Sequence, residues 1–289
     1  MGWRTIILTN PCRLNYKNNF LQIRADELKM VHLSEISTII LENSQISLSN
    51  YLLNELIKNK IQVIFCDERH NPTAEVMPFY ASFNSSKKIM QQINWIEERK
   101  KVLNTYIIKN KIENQRRFLE LNGKDEHAML KNYIDELEFD DVTNREGHSA
   151  KVYFNALFEK SFTRDTENQI NAMLDYGYTI ILSCFNRTIV SLGYLTQLGI
   201  NHKNEFNEFN FSCDLMEPFR VLVDEFAYKN VGNVLDVENK HRIVDILNEK
   251  RNYEGKEQYV SNIVKRFVEN CIAFLNGSTN EYIAFEYEL

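Results

Sequence analysis

Three polar segments of the sequence place side chains that could do chemistry next to predicted helices. NREGHSAKVYFNALF puts Asn144 at a helix N-cap and Glu146 in the first turn, where a carboxylate also complements the helix dipole. LGINHKNEF puts His202 in a loop after a long apolar helix, and FSCDLMEPFR puts Asp214 and Glu217 three residues apart on one helix face. Carboxylates and imidazoles bind divalent cations, so a metal centre is one chemistry that these residues could provide.

Each segment also has an ordinary structural explanation. Glu146 could act only as part of a helix cap, and a lone histidine in a loop more often binds nothing. Asp214 and Glu217 could simply begin an acidic helix whose first turn tolerates Pro218. The sequence contains no Gly-x-Gly-x-x-Gly, Walker A, Gly-x-Ser-x-Gly or His-Glu-x-x-His motif. Nucleotide-driven and hydrolase-fold enzymes therefore lose their main support.

The segments lie in a half of the chain whose apolar residues follow helical spacing. One long helix is predicted from an i, i+3, i+4, i+7 pattern, with Gly199 as its C-terminal stop. The residues of that pattern are Met173, Gly177, Ile180, Ile181, Cys184, Phe185, Thr188 and Leu192. Other predicted helical stretches are 87–121, 126–138, 145–160, 214–230, 240–250 and 256–276.

The first eighty residues show the short β-branched and aromatic runs that are typical of strands. Predicted strands are Arg4–Leu8, Arg13–Tyr16, Phe20–Arg24, Thr38–Glu42 and Ile61–Cys66. Asn18 and Asn19 predict a hairpin turn, and the run SLSNYLLNELIKNK predicts one helix capped by Ser or Asn. We therefore expect an α+β protein with a β domain over 1–80, a linker over 81–87 and a larger α-helical domain over 88–289.

Composition is consistent with this organisation. The 289 residues are 44% hydrophobic and include only 9 Gly and 4 Pro, which excludes disorder and argues against an all-β fold. No apolar run approaches the roughly 20 residues that span a bilayer, so we expect a cytoplasmic protein with no membrane partner. Five scattered cysteines without a Cys-x-x-Cys motif argue against a disulfide framework and a zinc ribbon.

Positive charge is concentrated in one stretch of an otherwise acidic chain. The net charge is −6, but residues 87–117 contain nine basic and three acidic side chains. Such a cluster can neutralise DNA phosphates without reading sequence, although a solvated helix face would explain about half of it. The candidate DNA contacts are Lys87, Lys88, Arg99, Lys100, Lys101, Arg116 and Arg117, with Lys109 and Lys111 in the same stretch.

The order of the three polar segments resembles the catalytic core of the CRISPR adaptation integrase family, which inserts new spacers into a CRISPR array. The strings GWRTIILTNPCRLNYKNNF, HLSEISTIILENSQISLS, VIFCDERHNPTAEVMPFY and FNEFNFSCDLMEPFRVLVD resemble the type II-A form in particular. The resemblance covers nearly the whole chain. It implies an N-terminal β-sandwich-like domain, joined to an all-α catalytic domain.

The resemblance also implies the site. Glu146, His202 and Glu217 match the family's catalytic metal ligands, with Asp214 as an auxiliary acidic residue. Arg220, one helical turn beyond Glu217, could brace that carboxylate or touch DNA. Two carboxylates and one imidazole suit Mn²⁺ or Mg²⁺ better than zinc. Gathering three carboxylates should make them repel one another and destabilise the metal-free fold, so exchanging both glutamates for glutamine should raise the melting temperature.

By the same resemblance, the 3′-hydroxyl of protospacer DNA attacks a phosphodiester at the boundary of a CRISPR repeat. The implied partners are double-stranded DNA, a second copy of the chain joined through the β domain, and a small companion adaptation protein in a heterohexameric complex. The type II-A effector nuclease and a DNA-end-binding ring protein are further candidates. Two alternatives stay open, a non-catalytic scaffold that binds DNA ends and a general metal-dependent DNA repair nuclease.

Overall fold

The computed structural model describes residues 4–68, 71–78 and 84–288, and the chain divides into two compact units. The first unit comprises Met1–Phe79 and Asp236–Asp245, and the second comprises Tyr80–Leu235 and Ile246–Leu289. The predicted α+β class is confirmed, since strands in sheets come first and a mostly helical region follows. Among the described residues, no helix is long and apolar enough to cross a membrane.

The first unit holds two four-stranded sheets. Its elements are β1 (Arg4–Leu8), β2 (Arg13–Lys17), β3 (Phe20–Arg24), β4 (Leu28–His32), β5 (Ile36–Leu41), β6 (Ser47–Leu48), α1 (Asn50–Lys58), β7 (Gln62–Cys66) and β8 (Pro72–Glu75). One sheet has the order β1-β5-β7-β8 and the other the order β4-β3-β2-β6. Strands β1, β5 and β7 are parallel, and β8 runs antiparallel to β7. Strands β4, β6 and β8 were not predicted from the sequence.

Local sequence explains the turns of this unit. Asn18 and Asn19 have φ of 50° and 65°, as a two-residue hairpin turn between β2 and β3 requires. The Ser49 hydroxyl accepts a hydrogen bond from the Leu52 amide at 3.2 Å and caps α1. One apolar cluster contains side chains of both sheets and of α1, among them Leu14, Leu21, Ile39, Leu52, Leu56 and Val63. That shared core supports the sandwich-like arrangement.

The second unit contains most of the helices. In chain order the remaining elements are α2 (Ser85–Ile93), α3 (Glu97–Leu121), α4 (His127–Asp135), α5 (Arg145–Leu157), α6 (Gln169–Ser191), α7 (Asn210–Met216), α8 (Arg220–Lys229), α9 (Val237–Asp245), β9 (Lys250–Tyr253), β10 (Lys256–Tyr259) and α10 (Val260–Leu275). Helix α9 belongs to the first unit and contacts β1, whereas the sequence analysis placed it in the helical half.

Several predicted boundaries change. The helix predicted over 87–121 is two helices, and α6 ends at Ser191, followed by Gly193 with a φ of 87°. Gly199 is therefore not the helix stop. The start of the stretch predicted as helix over 256–276 is instead strand β10, which pairs with β9 in an antiparallel hairpin. The helix predicted over 214–230 is interrupted by a 3-10 turn at Glu217–Phe219, where Pro218 lacks an amide hydrogen.

Helix α3 organises the second unit through two asparagines. Asn110 and Asn114 each donate a hydrogen bond at 2.8 Å to the carbonyl of Phe285 in the C-terminal segment. Asn114 also donates to the Pro218 carbonyl at 2.9 Å, and the Phe285 ring stacks on Phe219 with centroids 4.1 Å apart. The 3-10 turn is thereby fixed to α3 and to the C-terminal segment.

Candidate active site

Glu146 lies at the start of α5, in a turn whose backbone amides are capped by other residues. Asn144, with a φ of 53°, accepts a hydrogen bond from the Gly147 amide at 3.3 Å. Asp141 accepts hydrogen bonds from the amides of Arg145 and Glu146 at 2.6 and 3.0 Å. The predicted N-cap is confirmed, and the Glu146 carboxylate is not needed for it. That carboxylate is directed to Lys111 instead.

Lys111 bridges two carboxylates that are distant in sequence. Its Nζ lies 2.7 Å from Oε1 of Glu146 and 2.6 Å from Oε2 of Glu217, and its side chain is only 12% exposed. Burial alone would lower the pKa of Lys111, but Glu217 and Glu146 more than offset this effect, and the pKa is raised. The structure therefore brings Glu146 and Glu217 together around one ammonium group.

Glu217 is held from its other side by Arg220. The guanidinium Nε and Nη2 both lie 3.0 Å from the same carboxylate oxygen, Oε1 of Glu217. Burial disfavours the ionised carboxylate, but Arg220 and Lys111 outweigh burial, and the pKa of Glu217 lies well below its ordinary value. The expectation that Arg220 could brace this carboxylate is consistent with this geometry.

Arg220 is itself positioned by a buried aromatic and carboxylate network. Its guanidinium carbon lies 4.6 Å from the centroid of the Tyr178 ring. The hydroxyls of Tyr178 and Tyr153 both donate hydrogen bonds to Asp224, Tyr153 at 3.1 Å. Burial raises the pKa of Asp224 to about 6, although the two tyrosine hydroxyls and Arg220 oppose this rise. Both tyrosines are buried in the core.

His202 is oriented by Asp214. The Oδ1 atom of Asp214 lies 2.5 Å from Nδ1 of His202 and accepts the His202 amide at 3.0 Å. Its Oδ2 atom accepts the amides of Ile200 and Asn201 at 2.6 and 3.1 Å. Because Asp214 accepts a hydrogen bond from the ring, the pKa of His202 is raised, and a neutral ring has its hydrogen on Nδ1 and its lone pair on Nε2. A carboxylate partner of this kind is common behind metal-binding histidines.

Gly199 permits the tight approach of this loop. A Cβ atom at Gly199 would lie 2.4 Å from the His202 carbonyl and 2.8 Å from Oδ2 of Asp214. A glycine is therefore needed here for close packing, which replaces its predicted role as a helix stop. An open groove of about 450 Å³ adjoins the loop and is lined by residues that include His202, Lys203 and Asn210.

The charges of the cluster are balanced without a metal ion. Glu146 and Glu217 contribute two negative charges, and Lys111 and Arg220 contribute two positive charges, so these four side chains sum to zero. The repulsion expected among the clustered carboxylates is therefore offset by Arg220, which was expected to brace Glu217, and by Lys111, which was not predicted to lie there. Replacing both glutamates would leave those cations without partners, which reverses the expected effect on stability.

The carboxylates of Glu146 and Glu217 and the imidazole of His202 are donor types that suit a divalent cation, provided that the cation displaces the Lys111 ammonium. Within the described parts of the chain, no group of three or more His, Cys, Asp or Glu side chains is arranged to hold a metal ion. Lys111 stands between two of the three predicted ligands. Oε2 of Glu217 is nevertheless buried and accepts no aligned hydrogen bond from a described residue, although the Lys111 ammonium is 2.6 Å away. An ion that displaced this ammonium would meet two carboxylates, with an imidazole whose charge interacts with both.

The predicted basic stretch is largely engaged inside the second unit. Arg99 donates to the Phe274 carbonyl at 2.6 Å and to the Asn280 side chain at 2.7 Å. The other ion pairs are Lys100 with Glu97, Lys101 with Asp140, Arg116 with Glu113 and Glu120, and Arg117 with Glu113 and Glu286. Lys87 is exposed and Lys88 is half-buried on α2. Any DNA contact by the paired residues must compete with these intramolecular partners.

Two residues that assemble the cluster were not predicted from the sequence. Lys111 was counted only among the basic residues, and Asn114 was not singled out. Lys111 lies 35 residues before Glu146 and 106 before Glu217, so no local spacing links the three. The only signal was the polar run NKIENQ within α3, which places Lys111, Asn114 and Gln115 within five residues.

Comparisons with known proteins identify relatives of the chain. Residues 5–243 match the family model described as CRISPR associated protein Cas1. A protein named CRISPR-associated endonuclease Cas1, from Neisseria meningitidis serogroup C (strain 8013), is 35% identical over 227 residues, which cover 78% of this chain and 74% of that protein.

Two solved structures share the fold. A casposase bound to integration product has a TM-score of 0.81 at 20% identity and covers 100% of this chain and 95% of that one. A chain of a Cas6-RT-Cas1–Cas2 complex has a TM-score of 0.75 at 17% identity and covers 100% of this chain and 36% of that one. At these identities the likeness concerns the fold.

Proposed function

Because the chain belongs to the family of CRISPR-associated Cas1 proteins, we propose that it is a metal-dependent DNA integrase and endonuclease that inserts protospacer DNA into a CRISPR array. The observation that carries this proposal is the meeting of Glu146 and Glu217 at Lys111, with His202 oriented nearby by Asp214. The relative from Neisseria meningitidis is named an endonuclease, and the casposase structure contains an integration product. Both names agree with phosphodiester chemistry at this cluster.

In the proposed reaction, the 3′-hydroxyl of a protospacer strand attacks the phosphodiester at the repeat boundary. A bond forms between that 3′-oxygen and phosphorus, and the bond from phosphorus to the 3′-oxygen of the preceding nucleotide breaks. The attacking hydroxyl loses a proton, and the leaving oxygen gains one. A bound Mg²⁺ or Mn²⁺ would neutralise charge on the pentavalent phosphorus and activate the attacking or leaving oxygen.

The residues of the chain have distinct proposed roles. Glu146, His202 and Glu217 hold the divalent cation, His202 through Nε2 because Asp214 accepts the hydrogen on Nδ1. Arg220 keeps Oε1 of Glu217 occupied and leaves Oε2 directed toward the cation. Asp214 and Arg220 are thus positioning residues.

The proposed partners are double-stranded DNA, a second copy of the chain and a small companion protein in a heterohexameric complex. A solved Cas6-RT-Cas1–Cas2 complex supports a companion of the Cas2 type. For the homodimer, strand β4 lies at one edge of its sheet and exposes Leu28 and Met30 by 53% and 47%. Exchanging both residues for aspartate in the full chain should give a monomer in sedimentation.

An integration assay tests the function. Wild type is incubated with the companion protein, Mn²⁺, a protospacer duplex and a plasmid that carries the repeat. The proposal predicts products in which the protospacer is covalently joined to the plasmid, and their loss in the Glu146→Ala, His202→Ala and Glu217→Ala variants with the fold intact. Cleavage without joining would indicate a repair nuclease, and binding without either reaction would indicate a scaffold, so each of these results would refute the integrase.

A further inference from the structure

Lys111 is shared by two carboxylates of the proposed site. Its ammonium lies between two carboxylates from different elements, at 2.7 Å from Glu146 and 2.6 Å from Glu217. The Glu217 side chain is 7% exposed and the Lys111 side chain 12% exposed, so water screens this contact poorly. A single monovalent group thus sits where the proposed function requires a divalent cation.

The backbone segments that carry the two carboxylates are held in place by contacts that do not involve Lys111. Asn114 binds the Pro218 carbonyl at 2.9 Å and so fixes the turn that carries Glu217 to α3. The Ser149 hydroxyl of α5, the helix that carries Glu146, contacts Oε1 of Gln115 on α3 at 3.4 Å. Removing the ammonium should therefore leave both carboxylates near their present positions. The space between them would then hold no positive charge, and the site would not collapse.

The net charge of the site determines how readily a divalent cation can bind. Glu146 and Glu217 are already neutralised by Lys111 and Arg220, so a divalent cation entering alone adds two uncompensated positive charges in a poorly screened site. DNA phosphates bring negative charge, and the flexible four-carbon stem of lysine allows the displaced ammonium to follow them. The cation and the DNA then compensate one another.

We propose that Lys111 is the resident counter-ion of this site, so that a divalent cation binds tightly only together with DNA. This inference rests on the proposed function, because it takes Glu146 and Glu217 as cation ligands. By linkage, the same coupling makes DNA bind more tightly when the cation is present. Free protein would then remain largely without the cation until a DNA substrate enters the site, which would limit unwanted phosphodiester cleavage.

Mn²⁺ titration by calorimetry tests the inference, with and without a short DNA duplex. In wild type, we expect the duplex to lower the Kd for Mn²⁺ at least tenfold. In Lys111→Met, we expect Mn²⁺ to bind about tenfold more tightly than in wild type without DNA, and the duplex to change the Kd by less than threefold. Lys109→Met is the matched control, since Lys109 is exposed on the same helix, and it should behave as wild type.

The outcomes separate the inference from the proposed function. If Glu217→Gln does not weaken Mn²⁺ binding, the proposed metal site is wrong. If Glu217→Gln weakens binding but Lys111→Met binds Mn²⁺ no more tightly than wild type, only the counter-ion role is wrong. Should Lys111→Met fail to fold, Lys111→Gln supplies the same comparison with a neutral hydrogen-bonding side chain, and a duplex-independent Kd in wild type would overturn the inference without any variant.

Discussion

Two buried glutamates of the helical unit, Glu217 and Glu225, are each held by two basic side chains. Glu225 on α8 pairs with Lys229 at 2.5 Å and with Arg251 at 3.1 Å. Lys229 lies one helical turn away, and its side chain is 57% exposed. These three residues form the Glu225 cluster. It is an ordinary set of ion pairs at the edge of the core, and its lysine is exposed to solvent.

The Glu217 cluster, formed by Glu217, Lys111, Arg220 and Glu146, differs in how its lysine is used. Lys111 is buried, comes from a distant helix and is shared with a second carboxylate. One oxygen of Glu217 accepts no aligned hydrogen bond from a described residue. The two clusters share burial and double pairing, so those features do not distinguish them, whereas the shared Lys111 ammonium and the Oε2 atom of Glu217 are particular to the proposed site.

Neutralising each glutamate separately should reveal the largest difference between the two clusters. Glu217→Gln should reduce strand transfer by about 10³-fold, the order expected when a group that stabilises the transition state is lost. Glu225→Gln should leave strand transfer within threefold, since its partners lie outside the Glu217 cluster. Quantifying joined products in the integration assay checks both. Equal losses would show that the two clusters do not differ in function.

The double variant Glu146→Gln, Glu217→Gln sharpens the comparison through stability. It leaves the mostly buried Lys111 without an anionic partner and removes the ion pair of Arg220, whose side chain is 30% exposed, so the free energy of unfolding without metal should fall by about 3 to 5 kcal/mol. Chemical denaturation with a chelator present measures this change. A double variant more stable than wild type would mean that repulsion between the carboxylates dominates the metal-free site.

Asp224 links the two clusters, because it precedes Glu225 in α8 and binds the tyrosine beneath Arg220. Its pKa is raised from 3.8 to about 6, so the folded protein keeps a proton between these pH values that the unfolded chain releases. The stability from this group is complete below pH 4 and is lost as the pH rises through 6. The total change is about 3 kcal/mol.

Comparison with Asp224→Asn isolates this contribution. The unfolding free energy of wild type minus that of the variant should decrease as the pH rises from about 4 through 6, and should become constant about one pH unit above the folded pKa. Other carboxylates titrate similarly in both proteins and cancel in the difference. A difference that is independent of pH, or that increases with pH, would contradict the raised pKa.

The smallest effect is expected for the predicted basic stretch. Lys101 is paired with Asp140 at 3.2 Å, so Lys101→Glu should remove at most one phosphate contact. The slope of log affinity against log salt should become shallower by about one or less. The loss of affinity should be the same for all DNA sequences. Salt-dependent fluorescence anisotropy measures the slope. A changed sequence preference with an unchanged slope would argue against a phosphate contact.

Local patterns predicted much of the fold. The alternation in β2 and β3, the Asn18-Asn19 turn and the Ser49 cap depend on neighbouring residues, and the sequence displays them directly. The β9–β10 hairpin was missed because KRNYEGKEQY is polar and lacks the apolar alternation that marks a strand. Helix α9 was assigned to the wrong half because its contact with β1 joins segments more than 220 residues apart.

The site shows the same limit. Glu146, His202, Asp214 and Glu217 were predicted because each lies in a short segment of matching residue types. Lys111 was not recognised, since its contacts to the two glutamates depend on how α3, α5 and the 3-10 turn pack. The sequence therefore predicted repulsion among the carboxylates, whereas in the folded protein Lys111 and Arg220 balance the charges of Glu146 and Glu217.

Pulsed EPR of bound Mn²⁺ tests the central claim most directly, namely that Glu146, His202 and Glu217 hold one divalent cation. In the DNA-bound protein, a histidine ligand produces a ¹⁴N modulation in the Mn²⁺ spectrum. We predict this modulation in wild type and in Glu225→Gln, its loss in His202→Gln, and weaker Mn²⁺ binding in Glu217→Gln. A wild-type spectrum without nitrogen modulation, or one that His202→Gln leaves unchanged, would contradict the account.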